Sequence, residues 1–182
     1  MTSSSKRSTR FRGIARRTAS ITTGMTTVEY RSRLAAAPAA VFAFHERPEA
    51  FTLLAPPWEA VRVVSREGRG IEAGVRVVIE TRVGPLWLRW VAVHERLEPG
   101  VEFVDRAESG PFRAWRHVHR VEGDGAGGAW LIDRVTYELP LDALARPVAG
   151  WWVRRKLDRM FAYRHQVTGR ELGAAVLEGV GA

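Results

Sequence analysis

The order of the local patterns along this 182-residue chain limits the folds that are available to it. Between residues 60 and 139, segments of strand character alternate with breakers such as Pro99-Gly100 and Gly110-Pro111. Breakers that recur roughly every ten residues are typical of an antiparallel meander. From Leu141 to about Leu177 the alternation stops, and large apolar residues recur at three- and four-residue spacing. This second pattern predicts one long amphipathic helix after the sheet.

The segment before the meander adds one strand and two short helices. Val28–Leu34 alternates with period two and predicts a strand. Pro38 suits the first turn of a helix over Ala39–His45, and a second helix over Pro48–Leu54 must end before Pro56-Pro57. The whole order predicts an α+β fold of about seven strands. A single antiparallel sheet has one face to bury, so a sheet curved around the long helix would leave a cavity.

The positive charge of the chain is concentrated in its first residues. The net charge is +8, and residues 1–24 contain six basic side chains and no acid. This stretch has too little apolar surface to order itself, so we predict a disordered basic tail over residues 1–25. Three interpretations stay open: a start placed before a true initiator at Met25, a tail that touches a membrane or nucleic acid, and a targeting peptide. The folded domain is predicted over residues 26–175, and residues 176–182 form a flexible C-terminus.

Several classes of protein are excluded by what the chain lacks. It has no cysteine, which excludes a disulfide scaffold and cysteine-ligated metals. It has no dinucleotide or phosphate-binding glycine motif and no nucleophile elbow. Outside the tail the charges alternate in sign, so no nucleic-acid partner is expected. We expect a soluble, cytoplasmic protein without a cofactor, and its oligomeric state is not specified by these patterns.

Several motifs resemble the SRPBCC superfamily, the START-like and polyketide-cyclase-like helix-grip group. Ala36–Phe42 resembles the opening motif that follows the first strand in that group. The stretches Gly110–Arg120, Asp133–Pro140 and Phe161–His165 resemble a bacterial branch of ligand-binding members. The resemblance covers about Val28–Leu172 and implies a curved antiparallel sheet around a long C-terminal helix, with a pocket for a small apolar ligand. It does not fix the function, because the superfamily includes lipid carriers, hormone receptors, cyclases and oxygenase domains.

One predicted strand face carries most of the candidate site residues. Trp115, His117 and His119 point the same way, because side chains two apart on a strand share a face. The following hairpin places Asp133 and Tyr137 opposite them if its register has the right parity. In that register His117 and Asp133 would pair, which would orient the imidazole and raise its pKa.

This face has two interpretations. In one, His117 or His119 bonds a ligand carbonyl or hydroxyl, or acts as acid or base, while the aromatic neighbours stack on a ring. In the other, the histidines face solvent or tie the sheet together through ordinary hydrogen bonds. A metal site would need a third ligand, for which His94 and Asp133 are candidates, and we do not predict one.

Two further residues complete the candidate ligand-binding site. Trp90 shares a strand face with Leu86 and Leu88 and is predicted to point inward. Arg164 interrupts the apolar face of the long helix. It either pairs with an acid on the sheet or binds a ligand carboxylate through its planar guanidinium.

Three functions follow from these residues. We favour non-catalytic binding or carriage of a hydrophobic small molecule such as a lipid, a polyketide or an aromatic metabolite. The second is a cyclase/dehydratase-like enzyme, which requires at least two of the histidine, aspartate and tyrosine candidates to converge inside the pocket. The third is interaction with a partner or, weakly, a membrane surface through the basic tail and Trp151-Trp152.

Overall fold

The computed structural model describes residues 17–22, 24–140 and 146–177 of the chain. Within these ranges the chain forms nine strands and three helices. The strands are β1 (Arg17–Thr22), β2 (Met25–Leu34), β3 (Val61–Glu67), β4 (Arg76–Val83), β5 (Leu86–Glu98), β6 (Glu102–Ser109), β7 (Ala114–Gly123), β8 (Ala129–Glu138) and β9 (Val176–Leu177). The helices are α1 (Pro38–Glu46), α2 (Ala50–Leu54) and α3 (Arg146–Glu171).

The strands form one antiparallel sheet that curves around α3. The order across the sheet is β1-β2-β8-β7-β6-β5-β4-β3, and β9 adds to β2. The apolar face of α3 packs against the sheet. In this contact Phe161 stacks on Tyr30, with 4.6 Å between the ring centroids. This arrangement confirms the predicted α+β helix-grip fold.

The two short helices cover one end of the space between the sheet and α3. Phe44 of α1 and Leu54 of α2 are buried together with Val167 of α3. Pro38 stands in the first turn of α1, as predicted. None of the helices in the described ranges is long and apolar enough to span a bilayer.

The two ends of the predicted domain require correction. Residues 17–22 were predicted as part of the disordered tail, but they form β1, with Ala19 opposite Val28. An edge strand needs only one backbone partner, and the Thr and Ile residues of this stretch favour extended structure. Residues 1–16 lie outside the described residues, so their predicted disorder stays a prediction.

At the other end, α3 stops at Glu171 rather than near Leu177. Gly173 has a φ of +60°, the left-handed conformation that commonly follows a helix. Val176–Leu177 then pairs with β2, so these two residues do not belong to a flexible terminus. The predicted start of the helix, residues 141–145, and residues 178–182 lie outside the described residues.

The β7–β8 hairpin has the register on which the predicted site depends. The carboxylate of Asp124 accepts hydrogen bonds from the backbone N–H groups of Ala126 and Gly128 at 2.7 and 2.8 Å, which fixes a five-residue loop. In the resulting register Trp115 faces Tyr137, and His119 faces Asp133. All the candidates on this hairpin therefore share the inner face.

Candidate functional site

The five histidines of the chain gather in one interior region between the sheet and the helices. Strands β5, β6, β7 and β8 bring histidines and aspartates to the inner face, and α1 and α3 add side chains from the other side. The members of this polar cluster are His45, His94, Asp105, His117, His119, Asp133, Arg164 and His165.

Asp133 is the centre of the polar cluster. Its Oδ1 accepts a hydrogen bond from Nε2 of His117 at 2.8 Å and lies 2.9 Å from Nδ1 of His119. Its Oδ2 accepts a hydrogen bond from Nε2 of His165 at 2.7 Å, and Nδ1 of His165 is hydrogen-bonded to the hydroxyl of Ser32 at 2.7 Å. A carboxylate only accepts, so each imidazole must present an N–H to it. Asp133 therefore fixes the orientation of three rings.

The charges of the polar cluster are strongly coupled. Burial alone would raise the pKa of Asp133, but hydrogen bonds from His117 and His119 hold that pKa well below its usual value. Burial alone would lower the pKa of His119, but its contacts with Asp105 and Asp133 raise it to about 9. Burial likewise opposes the shift of Asp105, yet the neighbouring imidazoles of His117 and His119 lower its pKa to about 2.

The expected rise in the pKa of His117 is wrong. Burial and the neighbouring His119 lower that pKa, even though Asp133 and Asp105 oppose the change. The two ring centroids are 3.7 Å apart, so a second positive charge there is unfavourable. His45 is also shifted downward, to a pKa of about 4, mainly by burial.

A cavity of about 170 Å³ adjoins the polar cluster. Its polar end is formed by His94, Asp105, His119 and Arg164, together with His45. Exposed Val63 and Arg66 lie at its rim. The remaining walls are apolar side chains from α2, the loop before β4, and strands β4, β5 and β6: Phe51, Leu54, Ile71, Val77, Ile79, Ala92 and Phe103.

The predicted site residues fall into three groups. Among the described residues, His119 and Arg164 line the cavity, while His117 and Asp133 lie behind it, 2% and 3% exposed. Three predicted aromatic residues form a separate group on the same sheet face and do not line the cavity: Trp90, Trp115 and Tyr137, with neighbouring centroids 5.0 and 6.3 Å apart. Ligand binding by these seven residues stays a prediction.

The burial of His117 and His119 bears on the two interpretations of their strand face. Because His117 and His119 point inward, the solvent-facing alternative is wrong. Hydrogen bonds that tie neighbouring strands together are present, and the ring of His119 also reaches the cavity. His94, considered as a metal ligand only if folded inward, does face the cavity.

Arg164 has no carboxylate within salt-bridge distance in the described part of the chain, so of the two alternatives for this residue the ion pair with the sheet is not formed there. Its Nε is buried without a hydrogen-bond partner among the described residues, and burial lowers the pKa of the guanidinium. Within the same ranges, Nδ1 of His94 is also buried without a partner. Two residues at the polar end of the cavity therefore each have a buried nitrogen whose hydrogen-bonding capacity is unused within the described ranges.

Sequence reasoning missed three members of the polar cluster: Asp105, His45 and His165. Asp105 lies directly opposite His117 in the β6–β7 register. Sequence patterns could have placed Asp105 in the site only if that register had been known. His45 ends a short helix, and its Nδ1 is within hydrogen-bond distance, 2.8 Å, of the backbone oxygen of Val41.

Comparison with known proteins points to a family and a fold. The family model described as polyketide cyclase / dehydrase and lipid transport matches residues 34–161. No curated protein sequence matches the chain.

Several solved structures share the fold at low sequence identity. A protein from Thermus thermophilus is 16% identical, with a TM-score of 0.62, and the match covers 80% of this chain and 96% of that one. The Zhui aromatase/cyclase from a Streptomyces species is 18% identical (TM-score 0.60; 81% and 96% covered). Norcoclaurine synthase from Thalictrum flavum, solved with dopamine and hydroxybenzaldehyde, is 12% identical (TM-score 0.59; 79% and 86% covered).

Proposed function

This chain belongs to the polyketide cyclase / dehydrase and lipid transport family, and from that premise we propose that it binds a small hydrophobic molecule with one polar oxygen-bearing end. The observation that carries the proposal is the cavity with apolar walls, at one end of which two buried nitrogen atoms have no partner among the described residues. Of the lipid, polyketide and aromatic-metabolite classes, the cavity favours an aromatic molecule.

The size and walls of the cavity support this choice. Its volume of about 170 Å³ is close to that of an apolar cavity of about 150 Å³ that holds benzene. Phe103 lines the cavity and offers it an aromatic wall. The centroid of its ring lies 4.1 Å from that of His119, so the aromatic wall adjoins the polar end. A ligand with one ring inside would extend past Val63 and Arg66 at the rim.

The polar end supports a carboxylate or carbonyl oxygen on the ligand. A buried N–H without a partner is unfavourable, and a ligand oxygen would satisfy the Nε of Arg164. The guanidinium is planar and matches a carboxylate in two-point contact. Binding would therefore orient the molecule with its polar end toward the polar cluster.

Calorimetric titration with 2-naphthoate and naphthalene-2-carboxamide tests the proposal. We expect Arg164→Met to weaken 2-naphthoate binding roughly tenfold to a hundredfold, because a charge-assisted hydrogen bond is lost. The carboxamide, which has no charge, should lose much less. Arg170→Met on the exposed side of α3 is the matched control. If wild-type protein binds neither compound and carries no molecule in native mass spectrometry, the proposal fails.

A second candidate is catalysis on the bound molecule, and it rests on the position of His119 beside Asp105 at the cavity. Nε2 of His119 lies 3.7 Å from the Asp105 carboxylate, so both groups can reach one ligand. His119 would bond the oxygen of a ligand carbonyl and stabilise the negative charge that develops there, while a solvent base takes a proton from the adjacent carbon. The proton would return to the same carbon or exchange with solvent.

Deuterium incorporation into the methyl group of 2-acetonaphthone in D₂O tests this second candidate. Wild-type protein should accelerate the exchange, and His119→Gln should slow it by about 100-fold or more. Arg170→Met again serves as the control. A protein that binds the ketone without accelerating exchange is a carrier.

The remaining expectations stay predictions. Trp151 and Trp152 are exposed, with Arg155 and Lys156 over their rings, but membrane contact through these residues or the basic tail is untested. The cytoplasmic localisation and the absence of a nucleic-acid partner are likewise untested.

A further inference from the structure

We propose that Asp105, His117 and His119 bind a divalent transition-metal ion at the polar end of the cavity. The proposed ion site does not depend on which molecule occupies the cavity, and it was not expected from the sequence, where only His94 and Asp133 were considered as third ligands. Two histidines and one carboxylate are a ligand set that such ions accept, with further positions left open.

The distances within this triad fit an ion better than hydrogen bonds. One potential ligand atom from each residue lies within 4.8 Å of the other two. Oδ1 of Asp105 lies 3.5 Å from Nδ1 of His117 and 3.7 Å from Nε2 of His119. Both separations are too long for an ordinary hydrogen bond. Ligand atoms about 2.0–2.2 Å from a tetrahedral Zn²⁺ are themselves about 3.3–3.6 Å apart, so the two separations from Asp105 match an ion to within a few tenths of an ångström.

The orientation of the two rings points to the same conclusion. Nε2 of His117 and Nδ1 of His119 both face Asp133, at 2.8 and 2.9 Å. Metal binding requires both rings to be neutral. Their opposite nitrogens then carry lone pairs that face the carboxylate of Asp105, and a cation in place of the His119 proton would satisfy all three groups.

The surroundings of Asp133 match those of a metal centre. Histidines that bind metals almost always donate their other N–H to a carboxylate or carbonyl, which fixes the ring. Here one carboxylate serves both rings, and His165 and Ser32 hold it from behind.

Asp105 provides an independent observation. Its Oδ1 is buried and has no hydrogen-bond partner in the described part of the chain. A buried carboxylate oxygen without a donor is rare, and a cation on this oxygen would satisfy it. Because Asp105 and His119 line the cavity, the open side of the ion would face the bound molecule and polarise a carbonyl oxygen.

Metal titration of the untagged full chain after EDTA treatment tests the site. We expect one Zn²⁺ per chain by calorimetry and one Co²⁺ with visible absorption bands. All five histidines of the chain lie around this region, so a histidine-type spectrum reports this cluster. Asp133→Asn should weaken Zn²⁺ binding about 10- to 100-fold, and Asp105→Asn should weaken it further. Glu122→Gln, on the outer face of β7, is the matched control.

Three results would overturn the proposal. The first is that the wild-type protein binds neither Zn²⁺ nor Co²⁺ at one equivalent, in which case a proton occupies the gap beside Asp105. The second is that the Asp105→Asn variant binds Zn²⁺ with wild-type affinity. The third applies also if the variants do not fold: Co²⁺ should shift the ring resonances of His117 and His119 in NMR spectra of the wild-type chain, and unshifted resonances would exclude the site.

Discussion

The two faces of β7 hold their charged and polar side chains in different ways. On the outer face Arg116 and Arg120 are 46% and 40% exposed and pair with Glu95 at 3.1 Å and Glu102 at 2.9 Å. On the inner face the side chain of His117 is buried and shares Asp133 with two other imidazoles. The two sets alternate along the same ten residues, because successive side chains of a strand point to opposite faces.

The difference between the faces is one of solvent. Water and salt can replace a lost partner on the outer face, where an ion pair contributes about 0–1 kcal/mol. On the inner face no water replaces the partner, and a charge left alone is strongly unfavourable. The inner charges therefore depend on one another, whereas an outer pair whose two side chains are both exposed, such as Arg116 and Glu95, contributes little.

The largest loss of stability is expected when the charge of Asp133, at the centre of the polar cluster, is removed. Asp133→Asn keeps the shape of the side chain but removes the closer of the two counter-charges of His119, since Asp133 lies 2.9 Å from that ring and Asp105 lies 3.7 Å from it. We expect the free energy of unfolding at pH 7 to fall by about 3–5 kcal/mol, measured by urea denaturation. Glu122→Gln on the outer face should cost less than about 1 kcal/mol. Equal costs for the two variants would mean that the faces do not differ.

A smaller effect is expected from pH, through the buried neutral His45. Its pKa is about 4 in the folded chain and 6.5 when exposed. Between these values the unfolded chain binds a proton that the folded chain does not, so stability falls as pH drops from 6.5 to 4. The contribution of His45 is at most roughly 3 kcal/mol, and denaturation curves across this range measure it.

His45→Gln provides the control for that pH dependence. The variant should lose part of the slope between pH 6.5 and 4, while the slope below pH 4, where the carboxylates of Asp105 and Asp133 accept protons, should persist. An unchanged slope above pH 4 would show that His45 is not buried in its neutral form.

The smallest effect is expected on the outer face. Arg116→Ala removes an ion pair between two side chains that are 46% and 40% exposed. We expect a loss of less than about 1 kcal/mol, and a smaller loss still in high salt, because solvent and ions screen the pair. Urea denaturation with and without added NaCl measures both. A loss above about 2 kcal/mol would break the contrast with the inner face.

Much of this contrast could be read from the sequence. Period-two alternation assigned Trp115, His117 and His119 to one face of one strand, and β7 has them there. The apolar residues at helical spacing identified the long helix α3 as the element that covers that face, and Phe161 of α3 is buried against the sheet. Edge strand β1 was missed because its composition resembles that of a disordered tail.

Periodicity is a local property of the chain, so the fold class and the common face of the strand histidines follow from it directly. Which acids meet those histidines depends on how the strands and helices come together. Asp133 meets them through a five-residue loop whose length sets the parity, and a slip of one residue would turn it outward. Asp105 depends on a separate register, and the irregular pairing of β5 brings His94 to the same cavity. His45, Arg164 and His165 come from helices, whose rotation is fixed by packing against the sheet rather than by their own sequence.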